Sequence, residues 1–152
     1  MVSQKEIILP EFKRGFHLVT HLIENQLAEL PKEGILNILL KHTSAAITLN
    51  ENADYSVRVD FETFMNKHVP ENFPNFEHTF EGSDDMPAHI KSSLFGQTLS
   101  IPITNHRLNL GTWQGIYLCE FRNYGGRRKL VLTVVSWKLL SIFKTYSKPL
   151  IA

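Results

Sequence analysis

The run Ile35-Leu36-Asn37-Ile38-Leu39-Leu40-Lys41 is the strongest constraint on what this chain can fold into. It is entered through Pro31 and Gly34, which stop a preceding helix and turn the chain. At this length it reads as a buried strand that ends at His42, far short of the roughly 18–20 apolar residues of a membrane span.

Other segments follow from the same patterning. Gln4–Leu9 and Gly15–Val19 alternate loosely around a Pro10–Gly15 turn and read as a hairpin. Thr20 is placed to cap a helix over Thr20–Leu30, where Leu22, Ile23, Gln26, Leu27 and Leu30 make a stripe. Thr43–Asn50 reads as a second strand, and Asp54 as the cap of a helix from Tyr55 to His68. The Pro- and aromatic-rich connection Pro70–Phe80 is long and apolar, and is expected to pack on the protein or on a partner subunit. Ser83-Asp84-Asp85-Met86-Pro87 opens a helix that ends at Gly96, with acids and a proline in its first turn. Leu99–Ile103, Gly115–Arg122 and Lys129–Trp137 read as strands, the last two joined by a hairpin turn at Arg122–Arg127 containing Gly125-Gly126. The fold class is α+β: a single domain over 1–152, with a mixed or antiparallel sheet and two to three helices.

Composition narrows the function. Lys+Arg number 16 against 15 Asp+Glu, so no concentrated positive field marks a nucleic-acid or membrane binder. The single cysteine, Cys119, excludes an intrachain disulfide, and the polar start Met1–Glu6 is unlike a signal peptide; the expectation is a cytoplasmic protein. Gly-x-Gly-x-x-Gly, the P-loop, Gly-x-Ser-x-Gly and paired-cysteine zinc motifs are all missing, so no nucleotide cofactor is expected.

Two polar segments carry chemistry. His42-Thr43-Ser44 ends a buried strand, where hydroxyls and amides hold phosphate and an imidazole ligates metal or moves protons. The plain alternative is a polar strand end whose Thr and Ser satisfy local backbone. Glu51, nine positions on, is a carboxylate expected to return to the same strand end, with Asp54 a helix cap. The segment His78–His89 holds two histidines and the acids Glu81, Asp84 and Asp85. With a helix starting near Asp85, Asp85 and His89 share a face and Gly82 bends His78 toward it, which suits a divalent cation. The alternative is an acid cap with exposed histidines. Lys91 and Arg122 are candidate phosphate partners, against a solvated lysine and a charged turn. Trp113 and Gln114 can stack on and hydrogen-bond a heteroaromatic ring, or pack in a core or interface. Cys119, inside an apolar strand, reads as an inert core thiol.

Three blocks together resemble a known family: His42–Asp54 (HTSAAITLNENAD), His78–Lys91 (HTFEGSDDMPAHIK) and Gly111–Glu120 (GTWQGIYLCE). The chain is similar to the YjbQ-like proteins over about Gln4 to Val135, and 136–152 is a C-terminal extension carrying Trp137, Phe143 and Tyr146. The resemblance implies a compact α+β fold, a homotrimer with sites near subunit interfaces, and a secondary thiamine-phosphate synthase activity. That reaction joins a hydroxymethylpyrimidine diphosphate to a thiazole phosphate and releases diphosphate.

On this reading Glu51, Glu81, Asp84 and His89 are the catalytic candidates, and Thr43, Ser44, Lys91, Trp113, Gln114 and Arg122 hold a small phosphorylated metabolite. His42, His78 and His89 are the metal candidates, for zinc, manganese or iron, or for magnesium arriving with diphosphate. A metal-dependent hydrolase and a non-catalytic trimeric metabolite-binding module are the competing readings.

Overall fold

The computed structural model describes residues 1–27 and 29–136. Its elements are β1 (Val2–Leu9), β2 (Gly15–Leu18), α1 (Thr20–Glu24), β3 (Glu33–Leu40), β4 (Ala45–Glu51), α2 (Tyr55–His68), α3 (Asp85–Phe95), β5 (Thr98–Thr104), β6 (Arg107–Leu108), β7 (Gln114–Glu120) and β8 (Arg128–Val135). The strands form two antiparallel sheets, β1-β8-β3-β5-β6 and β2-β7-β4. The class is α+β, as expected. Among the described residues no helix is long and apolar enough to cross a membrane.

Strand periodicity explains the layers. Ile7, Leu9, Leu36, Ile38, Leu40, Ile101, Ile103, Leu130 and Leu132 of the larger sheet meet Ala45, Ile47, Ile116 and Leu118 of the smaller one. The smaller sheet's other face carries Ala46, Tyr117 and Cys119 and is covered by the helices, with Ala88 and Phe95 of α3 in the cluster. Phe16, Phe61, Phe95 and Phe121 bind α2 into that layer through tilted and edge-on ring contacts at 5.6–6.1 Å. β7 is therefore buried on both faces, which is why Ile116–Glu120 shows no polar alternation. Cys119 is the inert thiol expected, with burial pushing its pKa far up.

Several expectations are corrected. Gln4–Leu9 and Gly15–Val19 do not pair as a hairpin: β1 pairs with β8 and β2 with β7. Likewise β7 and β8 belong to different sheets, so the Arg122–Arg127 turn crosses between layers, with Gly126 at φ +69°. The first helix stops at Glu24, and Thr20 does not cap it; its hydroxyl accepts the Ile116 amide at 2.9 Å instead. Leu27 and Leu30 still reach the core, so the stripe records burial without a helix. Asp54 does cap α2, accepting the Ser56 amide at 2.8 Å. Pro70–Phe80 does not pack on its own chain but is largely exposed there, Phe80 at 99%, which leaves the expected alternative of a partner subunit standing. The short β6 was not read from the sequence; it follows a turn at Asn105-His106, both at positive φ. Residues 137–152 of the extension, Trp137 included, lie outside the described residues.

Among the described residues six connections cross between the sheets, and three of them run side by side: β1 to β2, β3 to β4, and β7 to β8. They meet at one end of the sandwich, where Glu120 is the register partner of both Gly15 and Ala45. There the buried carboxylate of Glu120 accepts from Arg128 Nε at 2.7 Å and Nη2 at 2.6 Å. Glu120 also accepts the Arg122 amide at 3.0 Å. Removing one partner of such a buried pair leaves an uncompensated charge. Arg128→Met is expected to cost about 3–5 kcal/mol. Adding Glu120→Gln should recover a large part of it, both read from urea unfolding. Equal losses in the single and double variants would contradict the account.

Among the described residues Lys91 is the other buried cation, 1% exposed, its Nζ donating to Asn66 Oδ1 at 2.8 Å. Burial pushes its pKa down from 10.5 to about 8. Below pH 8 both folded and unfolded chains carry the proton and the cost of burying the charge is fully present. Between about 8 and 10.5 the unfolded chain binds more protons, so this group's contribution to stability rises with pH. Relative to Lys91→Met, the wild type is expected to gain stability between pH 7 and pH 9.5. Parallel pH profiles in denaturant titrations would refute this.

Candidate metal centre

The N-terminus of α3 and the connection before it build the site. Asp85 and His89 lie one turn apart on α3, and His78 comes from the irregular segment between α2 and α3. His78 Nε2 is 2.7 Å from Asp85 Oδ2, and His89 Nε2 is 3.4 Å from the same oxygen. Ligand atoms of the three residues all lie within 4.8 Å of one another. Asp85 is buried, whereas the His78 and His89 side chains are 44% and 32% exposed, so the group opens to solvent.

Each member is held from behind. His89 Nδ1 donates to the Thr43 carbonyl at 3.0 Å, because a carbonyl only accepts; the neutral ring then offers Nε2 as its lone pair. Asp85 Oδ1 is paired with Arg122 Nη1, which leaves Oδ2 for the imidazoles. Asp84 accepts the Asn123 amide at 2.7 Å and Arg122 Nε at 3.2 Å. Burial opposes its charge, but the Asn123 amide and the Arg122 guanidinium outweigh it and hold its carboxyl below the usual range. Arg122 Nη2 donates to the Glu81 carbonyl at 2.7 Å.

This donor set fits a divalent ion. Two imidazole nitrogens and a carboxylate oxygen suit zinc, with donor atoms about 3.4 Å apart around a tetrahedral ion. His89–Asp85 already has that separation, and His78 has to move back slightly from its hydrogen bond to Asp85. Asp84 and Asp85 against one Arg122 leave an excess negative charge, which favours a cation.

The remaining candidates go elsewhere. His42 is not with this group: its Nε2 accepts the Lys129 amide at 2.8 Å, and Arg128 Nη1 lies 3.3 Å from Nδ1. Burial first, then the Arg128 charge, depress its pKa, so it is a neutral ring packed at the Glu120–Arg128 corner. Ser44 faces the same guanidinium at 3.4 Å, and Thr43 contributes its carbonyl to His89. Lys91 is buried against Asn66, not aimed at the site. Arg122 is at the site, but its donors are committed to Asp84, Asp85 and Glu81. The acid between the histidines is Asp85, whereas Asp84 serves Arg122 and Asn123.

Glu51, Trp113 and Gln114 form a separate pole. Glu51 does not return toward His42, because β4 runs straight and pairs Glu51 with Gln114 at the far end of β7. Six strand steps put that end about 20 Å from Ala45. There Tyr117 donates its hydroxyl to the Glu51 carbonyl at 2.5 Å, and Gln114 accepts the Gly111 amide at 2.8 Å. Trp113 is 65% exposed. Sequence reasoning missed Glu71, Arg14 and Asn66, which bond beside the site; single polar residues in loops and on helices gave no spacing to notice.

Comparison with known proteins agrees with this fold. UPF0047 protein YjbQ of Escherichia coli O157:H7 is 52% identical over 136 residues, covering 88% of this chain and 98% of the relative. UPF0047 protein YugU of Bacillus subtilis is 43% identical over 90 residues, covering 58% and 64%. A crystal structure of a YjbQ/UPF0047-family protein from Clostridium acetobutylicum superposes with a TM-score of 0.73 at 34% identity, over 86% of this chain and 99% of that one. The family model described as UPF0047 protein YjbQ-like matches residues 5–136, and the chain belongs to that family.

Proposed function

We propose that this protein is a metal-dependent hydrolase acting on a small phosphorylated metabolite at His78, Asp85 and His89. The convergence of these three donors, open to solvent on one side, carries the reading. A divalent ion held there would supply a Lewis acid and a water of lowered pKa. His89, fixed in one tautomer by the Thr43 carbonyl, and Asp85, steadied by Arg122, would present their lone pairs without rearrangement. Zinc or manganese suits the mixed imidazole and carboxylate set.

Hydrolysis is favoured over thiamine-phosphate synthesis, the activity implied by the family resemblance. Release of diphosphate calls for cations on the departing oxygens. The two assigned to that task, Lys91 and Arg122, are buried against Asn66 and committed to acids and a carbonyl respectively. Hydrolysis needs only the ion and water. The homotrimer implied by the resemblance belongs to the same proposal; exposed Val59 and Phe64 of α2 and Leu94 of α3 offer apolar surface for it.

Elemental analysis of the purified protein should find close to one divalent ion per chain, lost in His89→Ala. Phosphomonoester hydrolysis should vanish with chelator and return with metal. Glu81→Gln should keep full activity, since Glu81 serves through its backbone carbonyl. Metal-free wild type, or turnover that survives in His89→Ala, would overturn the reading.

A further inference from the structure

The segment joining α2 to α3 has neither helix nor strand, yet it delivers His78 to Asp85 with a 2.7 Å contact. Most of its side chains are exposed in the single chain, so burial against its own chain does not hold it in place. Its early residue Glu71 does so through polar contacts. One oxygen of Glu71 pairs with Arg14, and the other accepts the Ser83 hydroxyl at 2.9 Å. Arg14 also donates to Asn66 Oδ1 of α2 at 2.7 Å, the oxygen that accepts from Lys91 of α3. The beginning of the segment is thus tied to its end, and the tie is anchored on both helices. Arg14 is the main reason that the Glu71 carboxyl is held below its usual range, so the contact is a charged one.

We propose that Glu71 is a positioning residue for the metal centre: bridging Arg14 and Ser83, it closes the α2–α3 segment so that His78 faces Asp85 and His89. The inference rests on the metal-site reading above. Closing the segment near both ends shortens the free span around His78, and a shorter span loses less entropy when its imidazole is fixed. A bracket that served only to join α2 to α3 would have no particular link to His78.

Zinc binding by isothermal titration calorimetry on the full chain separates these cases. Glu71→Ala is expected to weaken zinc binding about 10–100-fold, the range for residues behind a ligand. In a His78→Ala background the same substitution should cost little more, because its effect passes through His78. An unchanged affinity in Glu71→Ala overturns the proposal, as does an equal loss in both backgrounds. Should Glu71→Ala fail to fold, Ser83→Ala removes one arm and leaves the Arg14 pair intact. It should show a smaller loss that again disappears without His78; no loss would overturn the proposal. If wild type and His78→Ala bind zinc equally, the metal-site reading fails first and this proposal with it.

Discussion

The buried Glu120–Arg128 pair is the interaction on which the rest of the architecture turns. A two-sheet sandwich has to route its chain between layers, and here three routes pass the same end. Two of them bring polar groups to the buried pair. Arg128 faces Glu120 from β7, and Ser44 and His42 from the β3–β4 crossing. Glu120 takes the Arg122 amide from the β7–β8 crossing. Such a pair is not a large net source of stability, because desolvation offsets most of the attraction. What it does is make any other arrangement of these crossings leave a charge unpaired. The cover over it has no side chain: a Cβ at Gly125 would stand 2.4 Å from both Arg128 Nη2 and Glu120 Oε1. The Gly-Gly sequence that reads as a hairpin tip is therefore the thin wall above an ion pair.

That corner also explains what was legible in the sequence. Strand positions were, because alternation and breakers act locally; Ile35–Lys41 and Gly115–Arg122 lie close to β3 and β7. Strand partners were not, because consecutive strands joined by a short glycine- or proline-bearing turn ordinarily pair. β1–β2 and β7–β8 instead divide between sheets, and no local pattern records that. The His78–Asp85–His89 group was legible for a related reason: i, i+4 spacing on a helix is a distance, and Gly82 sits at φ +110° where the chain must bend. Glu51 failed the same kind of reasoning because nine residues of mostly extended chain separate groups that nine residues of turn would join. The surroundings of Lys91 and Arg122 were illegible for a different reason. Their charge was visible, but their partners, Asn66 and the Asp84–Asp85 pair, depend on packing between elements distant in sequence.

The division of labour at Asp85 joins the corner to the site. Asp85 lies in the first turn of α3, where the helix N-terminus presents partial positive charge to a carboxylate. Arg122 follows β7 by two residues and is steered by the Glu120 side chain through its amide. It claims Oδ1 of Asp85 and one oxygen of Asp84, turning Oδ2 of Asp85 toward both imidazoles. A carboxylate free on both oxygens could swing and chelate an ion alone; one pinned by a guanidinium can offer a single oxygen in a fixed direction. With His89 set by the Thr43 carbonyl, two of the three donors are directed by the sandwich itself, through β7 and the β3–β4 crossing. Only His78 is supplied by a segment without regular structure, and the polar bracket at Glu71 is the contact that gives that donor a comparable fixity.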